Sequence, residues 1–124
     1  MKKIIIVLII SISFLSCKKG HYSVTPITQE EFLKLDTKNI QLLDVRTPEE
    51  INAGFIEGSI AINYFEDDFI NKVKSQFDES KPIYLYCASS TRSAEASSKL
   101  ILDKIFTEIY YLQGGYNQWK TNQE

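Results

Sequence analysis

The sequence predicts an α/β domain with a mainly parallel central sheet flanked by helices. Three observations predict it. Near-continuous apolar runs, Ile40 to Val45 and Pro82 to Tyr86, read as strands buried on both faces. Between them, Phe69, Ile70, Val73 and Phe77 recur at helical spacing. Strand-like and helix-like stretches then alternate along the chain, which is the pattern of parallel strands joined by helical crossovers.

Met1 to Ser16 stands outside this domain. Lys2 and Lys3 precede an apolar run, Ile4 to Leu15, broken only by Ser11 and Ser13. Spanning a bilayer takes about 20 residues, so residues 1–16 read as a secretory signal. Residues 17–25 follow as a polar tether that begins at Cys17 and carries the only histidine, His21. The folded domain is expected over 26–124.

Within it, Thr28-x-x-Glu31 is a capping box for a short helix, with Phe32, Leu33 and Leu35 turned inward. The strand from Ile40 ends in Asp44-Val45-Arg46. Thr47-Pro48-Glu49-Glu50 supplies an N-cap, a proline in the first turn and a glutamate three residues after the cap, so a second helix starts there and stops near Gly54. Gly58 marks a turn, and Ile60 to Ile62 is a brief strand. Lys81-Pro82 opens the strand that ends at Cys87, and the helix after it reaches about Lys104. Glu108 to Leu112 is the last strand. Gly114-Gly115 then releases the chain into a final turn or helix whose Trp119 belongs to the core.

At 124 residues the chain holds one domain with one modest core. A formal net charge of -2, with no basic excess and no charge block, argues against nucleic acid as a partner. No Cys-x-x-Cys is present, which leaves dithiol redox chemistry and a cysteine zinc site unsupported; no metal or organic cofactor is expected. His21 lies in the tether, so Cys–His and Ser–His–Asp mechanisms lack a base.

Cys87 is the residue that draws chemistry. It sits where a strand hands over to a helix that opens within Ser90 to Ser93. Unpaired amides of the loop and first turn, with the helix dipole, make a concave anion-binding place there. Such a place favours thiolate over thiol, and Arg92 adds a permanent cation. A buried structural cysteine is the competing reading, but the Ser/Thr/Arg loop that follows has no packing purpose. Asp44 and Arg46 also fall at a strand's carboxyl end and could share a pocket with Cys87. For Asp44 and Glu50 a structural ion-pair role is preferred; for Arg46 the two roles stand level.

Tyr86-Cys87 through Arg92-Ser93 resembles the Cys-x-x-Gly-x-Arg-Ser loop of the rhodanese (sulfurtransferase) family. Asp44-Val45-Arg46 with Glu49-Glu50, then Gly54-Phe55-Ile56-Glu57-Gly58-Ser59 and Asn63, is similar to that family's Asp-Val-Arg stretch and the glycine-bounded turn after it. Leu112-Gln113-Gly114-Gly115 with Trp119 is similar to its closing element. The resemblance implies a three-layer domain in which Cys87 carries a persulfide and Arg92 assists. Backbone amides of Ala88, Ser89, Ser90, Thr91 and Ser93 would hold the anion. It also implies a small sulfur-containing anion as donor, a thiol or protein as acceptor, and a monomer.

Departures stand at Ser90, where the family has a glycine expected to serve a positive φ, and at Phe55 and Ile51, both read as packing. A related phosphatase branch places five residues between cysteine and arginine; here only four intervene, a ring better suited to a persulfide sulfur. A sulfur carrier without turnover, or a mere interaction module, is the non-enzymatic alternative. Phe14-Leu15-Ser16-Cys17 resembles a bacterial lipoprotein cleavage box, which implies lipidation at Cys17 and anchoring to a membrane of the cell envelope, facing the periplasm. An ordinary cleaved signal that leaves Cys17 free is the other possibility. With Cys17 acylated, Cys87 is an unpaired thiol in an oxidising compartment, either inert or used.

Overall fold

The computed structural model describes residues 20–124. The expected signal (1–16) and Cys17 lie outside the described residues. Five strands form one parallel sheet in the order β1-β5-β4-β2-β3: β1 Ser23–Ile27, β2 Gln41–Asp44, β3 Ile60–Ala61, β4 Ile83–Tyr86 and β5 Glu108–Leu112. Helices α1 Gln29–Leu33, α2 Pro48–Asn52, α3 Phe69–Gln76, α4 Thr91–Leu102 and α5 Gly115–Gln123 alternate with them.

Strand alternation sorts the core into two layers. Leu43 and Val45 from β2 and its end, Ile83 and Leu85 from β4, and Ile109 from β5 pack with Phe69 and Val73 of α3 and Ala96 and Leu100 of α4. Their neighbours Leu42, Tyr86 and Leu112 face the other way, against Phe32 of α1 and Tyr116 of α5, with Trp119 partly buried beside them. A helix–sheet–helix sandwich results.

Both predicted capping boxes form: Thr28 Oγ1 accepts from the Glu31 amide and Thr47 Oγ1 from the Glu50 amide, and each glutamate side chain reaches back to its cap's N–H. Two short helices, too brief to be stable alone, thereby start at defined residues.

Three expectations are corrected. The tether expected over 17–25 loses its last three residues to β1, which pairs with β5 from Ser23↔Glu108 to Ile27↔Leu112. Pro26 is tolerated there because β1 is an edge strand. Leu33 is not turned inward but 54% exposed, since a five-residue helix buries only one stripe, here Gln29 and Phe32. Phe55, read as packing, is 56% exposed.

Candidate active site

After β2 the chain crosses outward to β3; after β4 it crosses to β5 on the opposite side. The carboxyl ends of β2 and β4, paired through Asp44↔Tyr86, therefore flank the topological switch point, where open parallel sheets leave a crevice. Cys87 is the first residue beyond β4, and Ala88 to Ser90 turn the chain into α4.

The orientation of this turn is set from outside it. The amides of Tyr116 and Asn117, in the first turn of α5, donate to the carbonyls of Cys87 (2.8 Å) and Ala88 (3.0 Å). Ser90 O accepts from the Ala94 amide (2.9 Å) and from Ser93 Oγ (3.0 Å). The N–H groups of Ala88 to Ser93, by contrast, have no acceptor among the described residues. Six unpaired donors thus gather at one helix start, where backbone amides and the helix dipole favour negative charge.

Gly115 makes the clamp possible. Its φ is +58°, and a Cβ there would lie 2.2 Å from Ser89 O and 2.5 Å from Cys87 O. No larger residue allows α5 to approach the loop so closely. Gln29 secures the same turn from α1, its Nε2 donating to Gln113 O (2.8 Å) and Gly115 O (3.1 Å). Gln29 carries one signal in the sequence, an amide side chain on the buried stripe of α1 where an aliphatic residue would pack as well.

Ser90 does not need the conformation expected of it. Its φ is -148°, outside the left-handed region, so the positive φ that would favour the family's glycine is not adopted here. Its hydroxyl accepts from the Gly114 amide at 3.1 Å, a tie from loop to turn that glycine lacks a side chain to make.

The Cys87 side chain points to the α3/α4 layer. The sulfur is fully buried beside apolar neighbours, and its polar partner is Ser93 Oγ at 3.5 Å. Ser93 is positioned by being in the first turn of α4, where its hydroxyl also bonds Ser90 O. On ionisation of Cys87 that hydroxyl can turn and donate to the sulfur instead.

Arg92, one residue earlier in the same turn, extends toward α2. Its Nη1 and Nη2 donate to Glu50 Oε1 and Oε2 at 2.6 and 2.8 Å. The hydrogen bond from Arg92 is the largest cause holding the Glu50 carboxyl down, at about 2, against the opposing effect of burial. Arg92 is raised in turn, first by that bond and, among smaller causes, by the charge of Cys87.

Asp44 and Arg46 do not join Cys87. Asp44 alternates with Leu43 and Val45 and so faces the α1/α5 layer, opposite the sulfur. Arg46 Nε and Nη2 reach Asp44 Oδ1 (3.0 Å) and Oδ2 (2.8 Å), and Nη2 also donates to Gly54 O (2.8 Å). The Tyr86 hydroxyl donates to Asp44 Oδ2 at 2.6 Å and accepts from the Ile56 amide at 3.1 Å. The guanidinium lies 4.0 Å from the Tyr116 ring centre. Burial pulls the Arg46 pKa down, but bonds and charge from Asp44 outweigh it and the net direction is up; burial, then Asp44, push Tyr86 up. This is a buried ion-pair cluster that joins β2, β4 and α5. A shared pocket with Cys87 is excluded because consecutive strand residues point to opposite faces.

Comparison with known proteins agrees with the geometry. The Rhodanese-like domain family model matches residues 28–122. A Bacillus subtilis protein, uncharacterized YqhL, is 38% identical over 93 residues, covering 75% of this chain and 70% of its own. Thiosulfate sulfurtransferase 16, chloroplastic, of Arabidopsis thaliana is 37% identical over 89 residues, 64% of this chain and 73% of its own. The crystal structure of a rhodanese-like domain protein from Staphylococcus aureus superposes with a TM-score of 0.65 at 29% identity, over 77% of this chain and 90% of that one. By sequence and by fold, the chain belongs to the rhodanese-like domain family.

Proposed function

We propose that the chain is a sulfurtransferase working through a Cys87 persulfide. The observation that carries this reading is the set of six unpaired amides, Ala88 to Ser93, gathered at the start of α4 next to the cysteine. They do not bond Cys87 Sγ; they are free for a second atom. The Cys87 thiolate attacks the outer sulfur of a donor such as thiosulfate, the S–S bond of the donor breaks with its electron pair on sulfite, and the outer sulfur remains on Cys87. An acceptor nucleophile, cyanide in an assay or a thiol, then takes that sulfur and restores the thiolate. The unpaired amides of this turn supply the donors that stabilise charge on the terminal sulfur in both steps. The similarity to a protein named thiosulfate sulfurtransferase supports the same chemistry.

The complete burial of Cys87 favours a second reading, a sulfur carrier that loads once and waits for a partner to open the loop. Steady-state thiocyanate formation from thiosulfate and cyanide separates the two. The enzyme reading expects continuous turnover that Cys87→Ser abolishes, by at least about a thousandfold as for loss of a nucleophile. Loading without turnover supports the carrier, and turnover by Cys87→Ser contradicts both. The proposed setting is the bacterial cell envelope, with residues 1–16 removed and Cys17 lipidated; labelling of Cys17 by a fatty-acid analogue tests it.

A further inference from the structure

Gln29 is a polar side chain that packing alone does not call for. It is 8% exposed, at the first helical position of α1, on a stripe shared with Phe32. Its Nε2 donates to two carbonyls, Gln113 O at 2.8 Å and Gly115 O at 3.1 Å. Its Oε1 is buried and has no hydrogen-bond partner among the described residues. The two acceptors fix which way the amide points, because a flipped amide would set its oxygen against both carbonyls. A buried oxygen without a protein partner is costly, and an aliphatic side chain would avoid it. Unmatched groups of this kind mark places where a fold yields stability to function.

What Gln29 holds is a turn that does not hold itself. Gly114 and Gly115 stand in succession at φ of +77° and +58°, and a pair of glycines is the most permissive stretch a backbone can have. The carbonyls taken by Gln29 lie on either side of this pair. The Gln113 amide donates to Ile27 O at 2.9 Å, so backbone and side chain together fix the turn to the junction of β1 and α1. On its other side the turn leads to the loop after β4. Gly114 N donates to Ser90 Oγ (3.1 Å), Tyr116 N to Cys87 O (2.8 Å) and Asn117 N to Ala88 O (3.0 Å). Three bonds into the loop thus depend on a two-glycine turn, and one side chain brackets that turn.

We propose that Gln29 is a positioning residue for sulfur transfer. It fixes the Gly114–Gly115 turn so that the start of α5 grips the Cys87 loop in the shape that leaves its amides unpaired. This inference rests on the sulfurtransferase reading and adds to it a residue that acts through the turn rather than on the reacting atoms.

Gln29→Met separates positioning from stability. Methionine matches glutamine in length, suits a helix and removes the unmatched oxygen along with the donors. Of the acceptors it abandons, Gln113 is an exposed residue whose carbonyl can turn to water. Gly115 O is the acceptor that the α-helical repeat pairs with the amide four residues on. Urea denaturation should therefore show a midpoint equal to or above that of wild type. Loading of Cys87 from thiosulfate is followed in a single turnover by intact mass over a range of donor concentrations, with Cys87→Ser as the blank. It should slow by about ten- to a hundredfold, the loss expected for a misplacement of about 1 Å. That loss should fall in the limiting rate more than in the half-saturating concentration. Ser90→Ala, which cuts the tie from Gly114 to the loop, should slow loading as well. The double variant should lose less than the product of the single losses, because both changes free the same turn.

Loading by Gln29→Met at the wild-type rate overturns the proposal. A variant that fails to fold, or whose midpoint drops, overturns it too, since the side chain then serves the fold. So do losses that simply multiply with that of Ser90→Ala. In each of these cases wild type still takes up sulfur and the sulfurtransferase stands. Wild type that gains no sulfur from thiosulfate overturns the sulfurtransferase reading itself, and a positioning role within it falls with it.

Discussion

Two strand ends lie side by side at the switch point, and they have been finished in opposite ways. At the end of β2, Asp44 and Arg46 are buried and bonded, to each other, to Tyr86 and to the Gly54 carbonyl. At the end of β4, the Cys87 and Ala88 carbonyls are taken by α5 while the loop's amides are left without acceptors among the described residues. The charged residues tie the scaffold together, and the uncharged backbone carries the proposed site. Buried charges stay only where fully bonded, because an unmatched one costs several kcal/mol. A row of unpaired amides, by contrast, persists where something is meant to bind.

The difference can be broken from either side. The largest effect on stability is expected at β2. Asp44→Ala leaves the Arg46 guanidinium buried without its carboxylate and should lower unfolding free energy by about 3–5 kcal/mol. Urea denaturation reads this, and the cost should appear whether or not Cys87 is intact. A loss under about 1 kcal/mol would mean that water replaces Asp44 and the cluster is not closed.

Gly115→Ala acts on the other side. The added methyl meets Ser89 O and Cys87 O, and φ of +58° disfavours it further. Stability should fall by about 1–3 kcal/mol, while sulfur transfer falls out of proportion because the α5 clamp on the loop carbonyls loosens. Equal activity per folded molecule would show that the clamp does not orient the amides.

The smallest effect is a pH dependence that belongs to the pair joining α2 to α4. Glu50 is held at about 2, below its ordinary 4.5, chiefly by the Arg92 bond. A carboxylate depressed on folding stabilises fully above its unfolded pKa and loses that contribution as pH falls through the folded value. The stability gap between wild type and Glu50→Gln should thus be constant near neutrality and close between about pH 4.5 and pH 2, the interval set by the ordinary and folded values. A gap independent of pH over that interval would assign the variant's loss to packing.

Much of this architecture was legible before any coordinates. Local rules carried it: the two capping boxes lie within four residues of sequence each, and Glu108 to Leu112 is recognisable as a strand from its own side chains. The position of Cys87 at a strand-to-helix junction was equally local. What escaped is non-local or a matter of face. Leu43 and Val45 already implied that Asp44 points away from them, but proximity at the strand ends outweighed that alternation. The Arg92–Glu50 pair joins residues 42 apart in sequence and the Gln29 bond to Gly115 O residues 86 apart, and no spacing rule reaches so far. The edge strand at Ser23 was hidden by Pro26, a residue that reads as a breaker until its place at the sheet edge is known.

The central claim is that the open amides hold a second sulfur on Cys87. Intact-mass measurement of the folded domain after thiosulfate or hydroxyethyl persulfide, followed by cyanide, tests it most directly. The account predicts the gain of one sulfur atom by wild type, none by Cys87→Ser, and its removal by cyanide. No added sulfur on folded wild type with either donor, or sulfur retained by Cys87→Ser, would contradict it.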